Sequence, residues 1–129
     1  RSDKYALIVT RAHIEAWEKE HGTIEPGTFD ALRTDWSKRW PNIEKIENKD
    51  ANGQQHAPGW GLDALKYLIE ERRVEAVGHE KFDTDASVDV VKNGDLAGER
   101  YILGQNKYKV ELLTNLDQLP TRGAIIYAI

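Results

Sequence analysis

The chain has 129 residues, of which 40% are hydrophobic and 31% are charged, and its formal net charge is -4 at pH 7. These values fit one globular domain that spans 1–129, and the interspersed charges leave no basic surface for nucleic acid. The absence of cysteine excludes disulfides and a cysteine nucleophile, and no apolar run is long enough to span a membrane.

The start of the chain carries no recognisable targeting signal. It opens with the charged stretch RSDKY, which does not resemble a secretion signal, and the sequence contains no methionine. The missing initiator methionine predicts a trimmed chain, so a targeting segment upstream of Arg1 would not be visible. We expect a cytoplasmic protein.

The first predicted element is a helix over 11–21. Thr10 is a favourable N-cap residue, and Gly22 is a favourable stop at the other end. Ile14 and Trp17 lie three positions apart on one face, which predicts that this face is buried.

A strand over 28–35 and a long loop over 41–59 follow. Alternating apolar and polar residues predict the strand, and many turn-forming residues predict the loop. Loops of this length are often functional or form interfaces. The tryptophans near the loop, Trp36, Trp40 and Trp60, would suit an interface, but we favour packing in the core.

The next two elements predict an α/β fold. A helix is expected to begin near Gly61, because Leu62, Leu65 and Leu68 form an apolar stripe. The stretch VEAVGHE at 74–80 follows directly as a strand. A helix that leads by a short turn into a strand is typical of α/β proteins with parallel pairing.

The C-terminal part predicts one more helix and two more strands. The helix covers 95–106, the first strand 107–113, and a tight turn at 115–120 leads to the last strand at 123–129. This last run, GAIIYAI, is apolar on both faces, which is typical of a central strand covered on both sides. Without a neighbouring strand it would be an exposed apolar edge, which favours pairing with a second chain.

Polar residues cluster where the 74–80 strand ends, namely His79, Glu80, Asp83 and Asp85. Ligands of open α/β sheets collect beyond the carboxyl ends of strands, so this cluster is a candidate site, and a solvated loop is the alternative. The run HEKFD begins like the zinc-protease motif HExxH. Asp83 stands where the second histidine would be, which excludes that motif.

Glu99 and Glu111 form a second candidate pair. Glu99 lies on the predicted helix and Glu111 on the strand that follows it, so the two side chains can converge. A glutamate between Val110 and Leu112 on a buried strand is costly unless it is paired or bound to a cation. Carboxylate oxygens suit manganese, magnesium, calcium or zinc. The alternative is a pair of exposed acids with lysine neighbours.

The tail of the chain, ILGQNKYKVELLTNLDQLPTRGAIIYAI, resembles the putative cyclase family of metal-dependent hydrolases, which includes kynurenine formamidases and isatin hydrolases. The run ELLTNLDQLPTRGA is the most specific part of this resemblance. The stretches LRTDWSKRW and PGWGLDALKYLIEERRVEAVGHE are also similar to the family, so the resemblance extends over most of 26–129.

The resemblance implies a swivelling β/β/α fold and a hydrolase that attacks an amide, formamide or lactam C–N bond of a small molecule. It implies that Glu111 is a metal ligand, that Glu99 is a second ligand or general base, and that His79 is a polar group of the site. The implied cofactor is a divalent metal, manganese or zinc, and the implied assembly is a homo-oligomer.

The chain departs from the family pattern at three places. Kynurenine formamidase-like members carry a histidine at the position of Glu99, and the junction that commonly reads GxD is Gly78-His79-Glu80 here. The main metal motif of the family, HxGTHxDxPxH, is absent from 1–129. We therefore expect a domain that is incomplete at both ends, lacks its main metal ligands and is inactive alone.

The competing hypothesis is a non-catalytic assembly or binding module. It is motivated by the absent motif and by the aromatic residues near the long loop. Family members commonly assemble with the active site near a subunit boundary, so both hypotheses can hold together.

Overall fold

Residues 7–129 are described by a computed structural model, and they form five strands and five α-helices. The strands are β1 (Ile8–Val9), β2 (Phe29–Leu32), β3 (Gly59–Trp60), β4 (Ala76–His79) and β5 (Tyr108–Val110). The helices are α1 (Arg11–His21), α2 (Ile43–Glu47), α3 (Leu62–Lys66), α4 (Ser87–Asn93) and α5 (Ala97–Gly104). A π-helical turn at Tyr67–Glu71 continues α3, and 3-10 turns lie at Trp36–Arg39 and Leu116–Gln118.

The named strands of the described range pair in parallel. β1 pairs with β3, and β4 lies between β2 and β5 in a three-stranded sheet. Leu32 stands opposite His79 and Gly78 stands opposite Val110, so the carboxyl ends of these three strands meet at one edge. Helices in the connections make parallel pairing possible. The predicted α/β fold is confirmed.

The core lies where α1, α3 and α5 pack against the strands. Its fully buried members include Leu65 of α3, Leu68 of the π-helical turn, Val77 of β4 and Ile102 of α5. Fully burying a side chain of this size contributes about 1.5–3 kcal/mol. The apolar stripe predicted for α3 is therefore confirmed, although Leu62 at its start is 37% exposed.

Helix α1 has the predicted bounds. Thr10 N donates a hydrogen bond to His13 Nδ1 at 3.0 Å, and Gly22 N donates one to Glu18 O at 2.8 Å, so both ends are capped. Ile14 is buried, as predicted. Among residues 7–129 no helix combines the length and the hydrophobicity needed to cross a lipid bilayer.

The predicted loop over 41–59 contains the short helix α2, so that prediction is partly wrong. Asn42 Oδ1 accepts a hydrogen bond from Lys45 N at 2.9 Å and caps the helix. Ile46 is buried, and its carbonyl accepts a hydrogen bond from Trp36 Nε1 at 3.0 Å. One buried isoleucine among polar residues is too weak a pattern to predict a five-residue helix.

The three tryptophans near this segment have different environments. Trp36 and Trp60 are buried, with 8% and 5% of their surface exposed, whereas Trp40 is 67% exposed. Packing in the core is confirmed for the first two and is wrong for Trp40.

Helix α4 was not predicted from the sequence. Its first residue, Ser87, is its buried residue, and Ser87 Oγ donates to Gln55 O at 2.8 Å and accepts from Ala57 N at 2.7 Å. The start of the helix is thus fixed by hydrogen bonds to a distant segment. A periodic apolar face, the signal on which sequence analysis depends, is weak here.

The two predicted C-terminal strands have different outcomes. β5 is present but ends at Val110, because Leu112 has a φ of 55° and leaves the extended conformation. The strand predicted over 123–129 is wrong: within the described residues this segment pairs with no strand, and Ile125 and Tyr127 are 78% and 80% exposed. An apolar pattern indicates burial only where another element covers the segment.

Candidate functional site

The candidate site lies at the carboxyl edge of β4 and β5. His79 is the last residue of β4, and Glu111 directly follows β5. Beyond β5 the chain continues along the end of β4, because Leu113 N donates to His79 O at 3.0 Å and Leu112 N donates to Lys81 O at 3.2 Å. The residues predicted from the two strands are therefore brought to one edge of the sheet.

Glu99 and Glu111 converge on the ammonium group of Lys109. Lys109 Nζ lies 3.1 Å from a carboxylate oxygen of Glu99, and it forms a second ion pair and hydrogen bond with Glu111. The three side chains are mostly shielded from solvent, with exposed fractions of 23% for Glu99, 34% for Glu111 and 13% for Lys109. The predicted convergence of the two acids is present, and a lysine provides the positive charge.

Asp85 fixes the position of Glu99. The Asp85 carboxylate is buried at the start of α5, where its two oxygens accept hydrogen bonds from Gly98 N at 2.6 Å and Glu99 N at 2.9 Å. A carboxylate at this place satisfies two free N–H groups and suits the positive end of the helix dipole. A Cβ atom at Gly98 would lie 2.9 Å from Asp85 Oδ1 and 2.7 Å from Leu65 Cδ1, so the helix approaches too closely for a larger residue.

Lys81 is a buried cation that fixes the loop between β4 and Asp85 by hydrogen bonds to its backbone. Its ammonium donates to the carbonyl oxygens of Asp83 at 2.6 Å and Asp85 at 2.7 Å, and the residue is 6% exposed. Burial lowers the pKa of Lys81 to about 8, against the opposing effect of the nearby carboxylates, Asp83 first. Lys81, Asp85 and α5 therefore form a linked support for Glu99.

His79 is the most buried of the candidate residues, at 1% exposure. Burial lowers the pKa of its imidazole to about 4, and the positive charges of Lys81 and Lys109 act in the same direction, so the ring is neutral at pH 7. Nε2 lies 3.4 Å from Thr84 Oγ1, whereas Nδ1 is buried and has no hydrogen-bond partner among residues 7–129. Leaving such a nitrogen unpaired costs about 1–3 kcal/mol.

Glu80, also in the predicted cluster, has both carboxylate oxygens occupied by hydrogen bonds from the protein. Its carboxylate accepts from Thr34 N at 2.6 Å, from Thr34 Oγ1 at 3.1 Å and from Ser37 Oγ at 2.7 Å. These contacts attach the 3-10 turn at Trp36–Arg39 to the end of β4. Asp83 is exposed, and its backbone carbonyl binds Lys81. Of the four residues in the cluster, His79 alone keeps an unpaired buried polar atom.

The described residues supply an incomplete set of metal ligands. Within 7–129 no group of three histidine, cysteine, aspartate or glutamate side chains is arranged to hold a metal ion. The chemistry of Glu99 and Glu111 suits a divalent cation, because carboxylate oxygens are hard ligands. The two residues fit as oxygen donors of a site, but a complete metal coordination shell requires more ligands.

Two functional candidates were missed in the sequence analysis, Lys81 and Lys109. A signal for Lys109 exists, because a residue two positions before Glu111 shares its face of β5. Lys81 offers no comparable signal, since both of its acceptors are backbone carbonyls, which every residue carries.

A surface cavity of about 470 Å³ lies away from the predicted site residues. It is lined by Lys38, Arg39, Glu44, Lys45, Asn48 and Lys49. Lys38 Nζ lies 3.1 Å from Asp117 and Lys49 Nζ lies 3.0 Å from Glu47, so much of its positive charge is already paired. None of the predicted site residues lines this cavity, and the candidate site is the cluster around Lys109.

Comparisons with known proteins give consistent matches. The family model of the putative cyclases matches residues 1–86. An isatin hydrolase of Roseibium aggregatum is 34% identical over 122 residues, which is 95% of this chain and 46% of that protein. The solved structure of isatin hydrolase A from Labrenzia aggregata, bound to benzyl benzoate, superposes with a TM-score of 0.83 at 36% identity and covers 94% of this chain and 46% of that one. Isatin hydrolase A from Ralstonia solanacearum gives a TM-score of 0.85 at 35% identity, with the same shares.

These matches define what is shared. The chain spans about half of the length of the relatives that it matches. The family model covers more than half of the chain and ends before Glu99 and Glu111, while the structural match covers 94% of the chain. Over this part the parallel α/β architecture is that of the isatin hydrolase structures. The chain belongs to the putative cyclase family.

Proposed function

We propose that this chain is part of a metal-dependent hydrolase that cleaves an amide, formamide or lactam C–N bond of a small molecule. Lactam cleavage is the chemistry that the name of the isatin hydrolases indicates, and these proteins share the fold of the chain. Because the chain spans about half of their length, we propose that it is inactive alone and that the main metal ligands lie outside 1–129.

The observation that carries this proposal is the convergence of Glu99 and Glu111 at the carboxyl edge of the sheet. Both carboxylates contact one cationic group, the ammonium of Lys109. Two acids that share a cation at this edge are favourably placed to contribute oxygen ligands to a metal ion. We propose Glu111 as a metal ligand and Glu99 as a second ligand or general base.

His79 has a different role in this proposal. Its imidazole is neutral at pH 7, because burial holds its pKa at about 4. A neutral ring can donate or accept a hydrogen bond, and its buried Nδ1 has no partner within the described part of the chain. We propose that His79 lines the site from beneath its surface as a neutral polar group.

A divalent ion, when bound, would supply a Lewis acid and lower the pKa of a coordinated water. Manganese and zinc are the candidates, because both accept carboxylate ligands. The residues of this chain would position two carboxylates, hold a neutral imidazole at the end of β4 and limit the access of bulk water through burial.

The experiment is a metal titration of the full-length protein that carries this chain. The wild type and a Glu111→Ala variant would be titrated with Mn²⁺ and with Zn²⁺ by calorimetry, and hydrolysis of isatin would be assayed in parallel. We expect Glu111→Ala to weaken metal binding at least about tenfold, since even residues that only support metal ligands have effects of this size.

Glu75→Ala is the matched control. Glu75 is also a lysine-paired glutamate, with its carboxylate 2.7 Å from Lys107 Nζ, but it lies outside the Glu99–Lys109–Glu111 cluster. This control should bind metal as the wild type does. Wild-type metal affinity and turnover in Glu111→Ala would refute the assignment of Glu111.

A second candidate function is a non-catalytic assembly or binding module. The exposure of Trp40 and of the apolar segment 123–129 supports it, because exposed aromatic and aliphatic side chains concentrate at interfaces. We propose a homo-oligomer under either function.

A further inference from the structure

Lys109 is unusually well placed between the two proposed metal-binding carboxylates. Its ammonium lies 3.1 Å from Glu99 and also pairs directly with Glu111, and its side chain is only 13% exposed. Within residues 7–129, Lys109 forms its ion pairs with these two acids. It occupies the region toward which both carboxylates point.

Neighbouring lysines do not share this position. Lys107 lies directly before β5 and pairs with Glu75 at 2.7 Å. Lys81 is buried close by, but its ammonium is bound to the carbonyl oxygens of Asp83 and Asp85. Lys109 alone, among the lysines of the described chain, contacts both Glu99 and Glu111.

The charge balance makes this lysine important for the two acids. Two carboxylates held together repel each other unless a cation lies between them, and burial strengthens the effect. Lys109 supplies one positive charge, which offsets part of this repulsion in the metal-free protein. A divalent cation at the same oxygens would be repelled by the ammonium, so both cannot hold the carboxylates in the same way.

We propose that Lys109 is an internal counter-ion that competes with the divalent metal for Glu99 and Glu111 and thereby limits the metal affinity of the site. The inference rests on the proposed function, because it requires that the two acids bind metal. In the absence of metal the lysine keeps the carboxylate pair together, and metal binding moves its ammonium away from at least one of them.

The test compares Lys109→Met with Lys107→Met in the full-length protein. Methionine keeps the approximate length of the side chain and removes the charge, and Lys107, directly before β5, provides a paired lysine as a control. In a calorimetric titration with Mn²⁺ alone, Lys109→Met should bind the ion at least about tenfold more tightly than the wild type, because the competing charge is gone. Lys107→Met should keep the wild-type affinity.

A second measurement follows stability without metal. In the presence of a chelator, Lys109→Met should unfold at a lower temperature than the wild type, because Glu99 and Glu111 lose their shared cation. Added Mn²⁺ should raise the unfolding temperature of Lys109→Met by more than it raises that of the wild type. Lys109→Gln, which keeps hydrogen bonding without the charge, should show the same order of affinities if Lys109→Met fails to fold.

The outcomes separate this inference from the proposed function. If Glu111→Ala weakens Mn²⁺ binding but neither Lys109 variant strengthens it, the competition is refuted and the metal role of Glu111 stands. If Mn²⁺ binds to no variant, or binds equally with and without Glu111, the metal role is refuted and the competition with it.

Discussion

Burial of His79 is the residue-scale feature with the clearest effect on pH dependence. The ring is 1% exposed, and its pKa falls from an ordinary value of 6.5 to about 4, first because of burial and then because of Lys81 and Lys109. An imidazole in this environment resists protonation, so its contribution to stability depends on the ring remaining neutral.

The contribution of His79 to the free energy of unfolding should fall as the pH is lowered from 6.5 to 4. Across this window the unfolded chain binds a proton at His79 that the folded chain does not bind, so the contribution is complete above pH 6.5 and lost towards pH 4. The full loss is about 3 kcal/mol. Urea unfolding between pH 4 and pH 7 would measure it in the full-length protein that carries Asp30→Asn, because Asp30 contributes with the opposite sign over the same range, and adding His79→Gln should flatten that profile.

Two variants serve as controls for this prediction. His21→Gln, at an exposed histidine, controls for the loss of a histidine as such. Burial raises the pKa of Asp30 to about 6, so its contribution is complete below pH 3.8 and is lost as the pH rises through 6, opposite in sign to that of His79. Asp30→Asn removes this compensation. An unchanged profile for His79→Gln in the Asp30→Asn background would contradict the assignment to His79.

At the residue scale, the sequence predicts where the site side chains lie better than it predicts which residues they contact. The convergence of Glu99 and Glu111 follows from a helix that leads into a strand with known alternation. Lys109 lies two positions before Glu111, and strand alternation places such residues on one face, so the alternation also predicts Lys109 as a partner of Glu111. The role of Asp85 as the cap of α5 depends on a contact across 13 positions with Gly98, which no local pattern marks.

At the scale of elements, β3 passes very close to the loop that precedes α4. Trp60 N donates to Thr84 O at 3.0 Å, and a Cβ atom at Gly59 would lie 2.4 Å from Ala86 N and 2.5 Å from Asp85 C. These are backbone atoms, which cannot move aside as a flexible side chain can. The approach of β3 therefore requires glycine at this position.

Gly59→Ala should destabilise the full-length protein by about 1–3 kcal/mol, the usual cost of forcing extra volume into a packed site. Denaturant unfolding would measure the change. Gly104→Ala is the matched control, because a Cβ atom at this position in α5 meets nothing within 4 Å. It should leave stability unchanged or raise it by up to about 1 kcal/mol. Equal effects of the two substitutions would contradict the steric argument.

Elements with strong local signals were the ones predicted correctly. Helix α1 has an N-cap, a stop and a buried isoleucine, and its predicted bounds agree with the structure. Helix α4 depends on hydrogen bonds from Ser87 to residues near Gln55, and none of its three valines is buried. The segment 123–129 has a strong apolar pattern, but no element within 7–129 covers it. The pattern alone therefore led to the wrong prediction of a buried strand.

At the scale of the whole molecule, two apolar features remain on the surface of the described chain. Trp40 is 67% exposed, and segment 123–129 exposes Ile125 and Tyr127. The first lies in the tryptophan-rich region and the second at the end of the chain. Both are suitable contact points for a second subunit under the proposed assembly.

Sedimentation of the full-length protein with Mn²⁺ and with a chelator would test that assembly. We expect a homo-oligomer in both conditions, and Trp40→Ser should shift it towards smaller species by removing an apolar contact. Leu103→Ser, which changes a 54% exposed residue of α5, is the control and should not alter the assembly. A monomer in both conditions would contradict the proposal, whereas a stable oligomer without any metal binding would favour the non-catalytic module.

The parallel sheets also determine the order in which the molecule can fold. Every strand pair joins residues that are far apart in the sequence: Ile8 with Gly59, Phe29 with Ala76, and Ala76 with Tyr108. Each pairing therefore requires the closure of a long loop, and such topologies fold more slowly than helical bundles. β5 is the last of the described strands along the chain, so Lys109 meets Glu99 only after the other described strands have been synthesised. The charge cluster is thus completed after β2 and β4, the other two strands of the sheet that supports it, have been made.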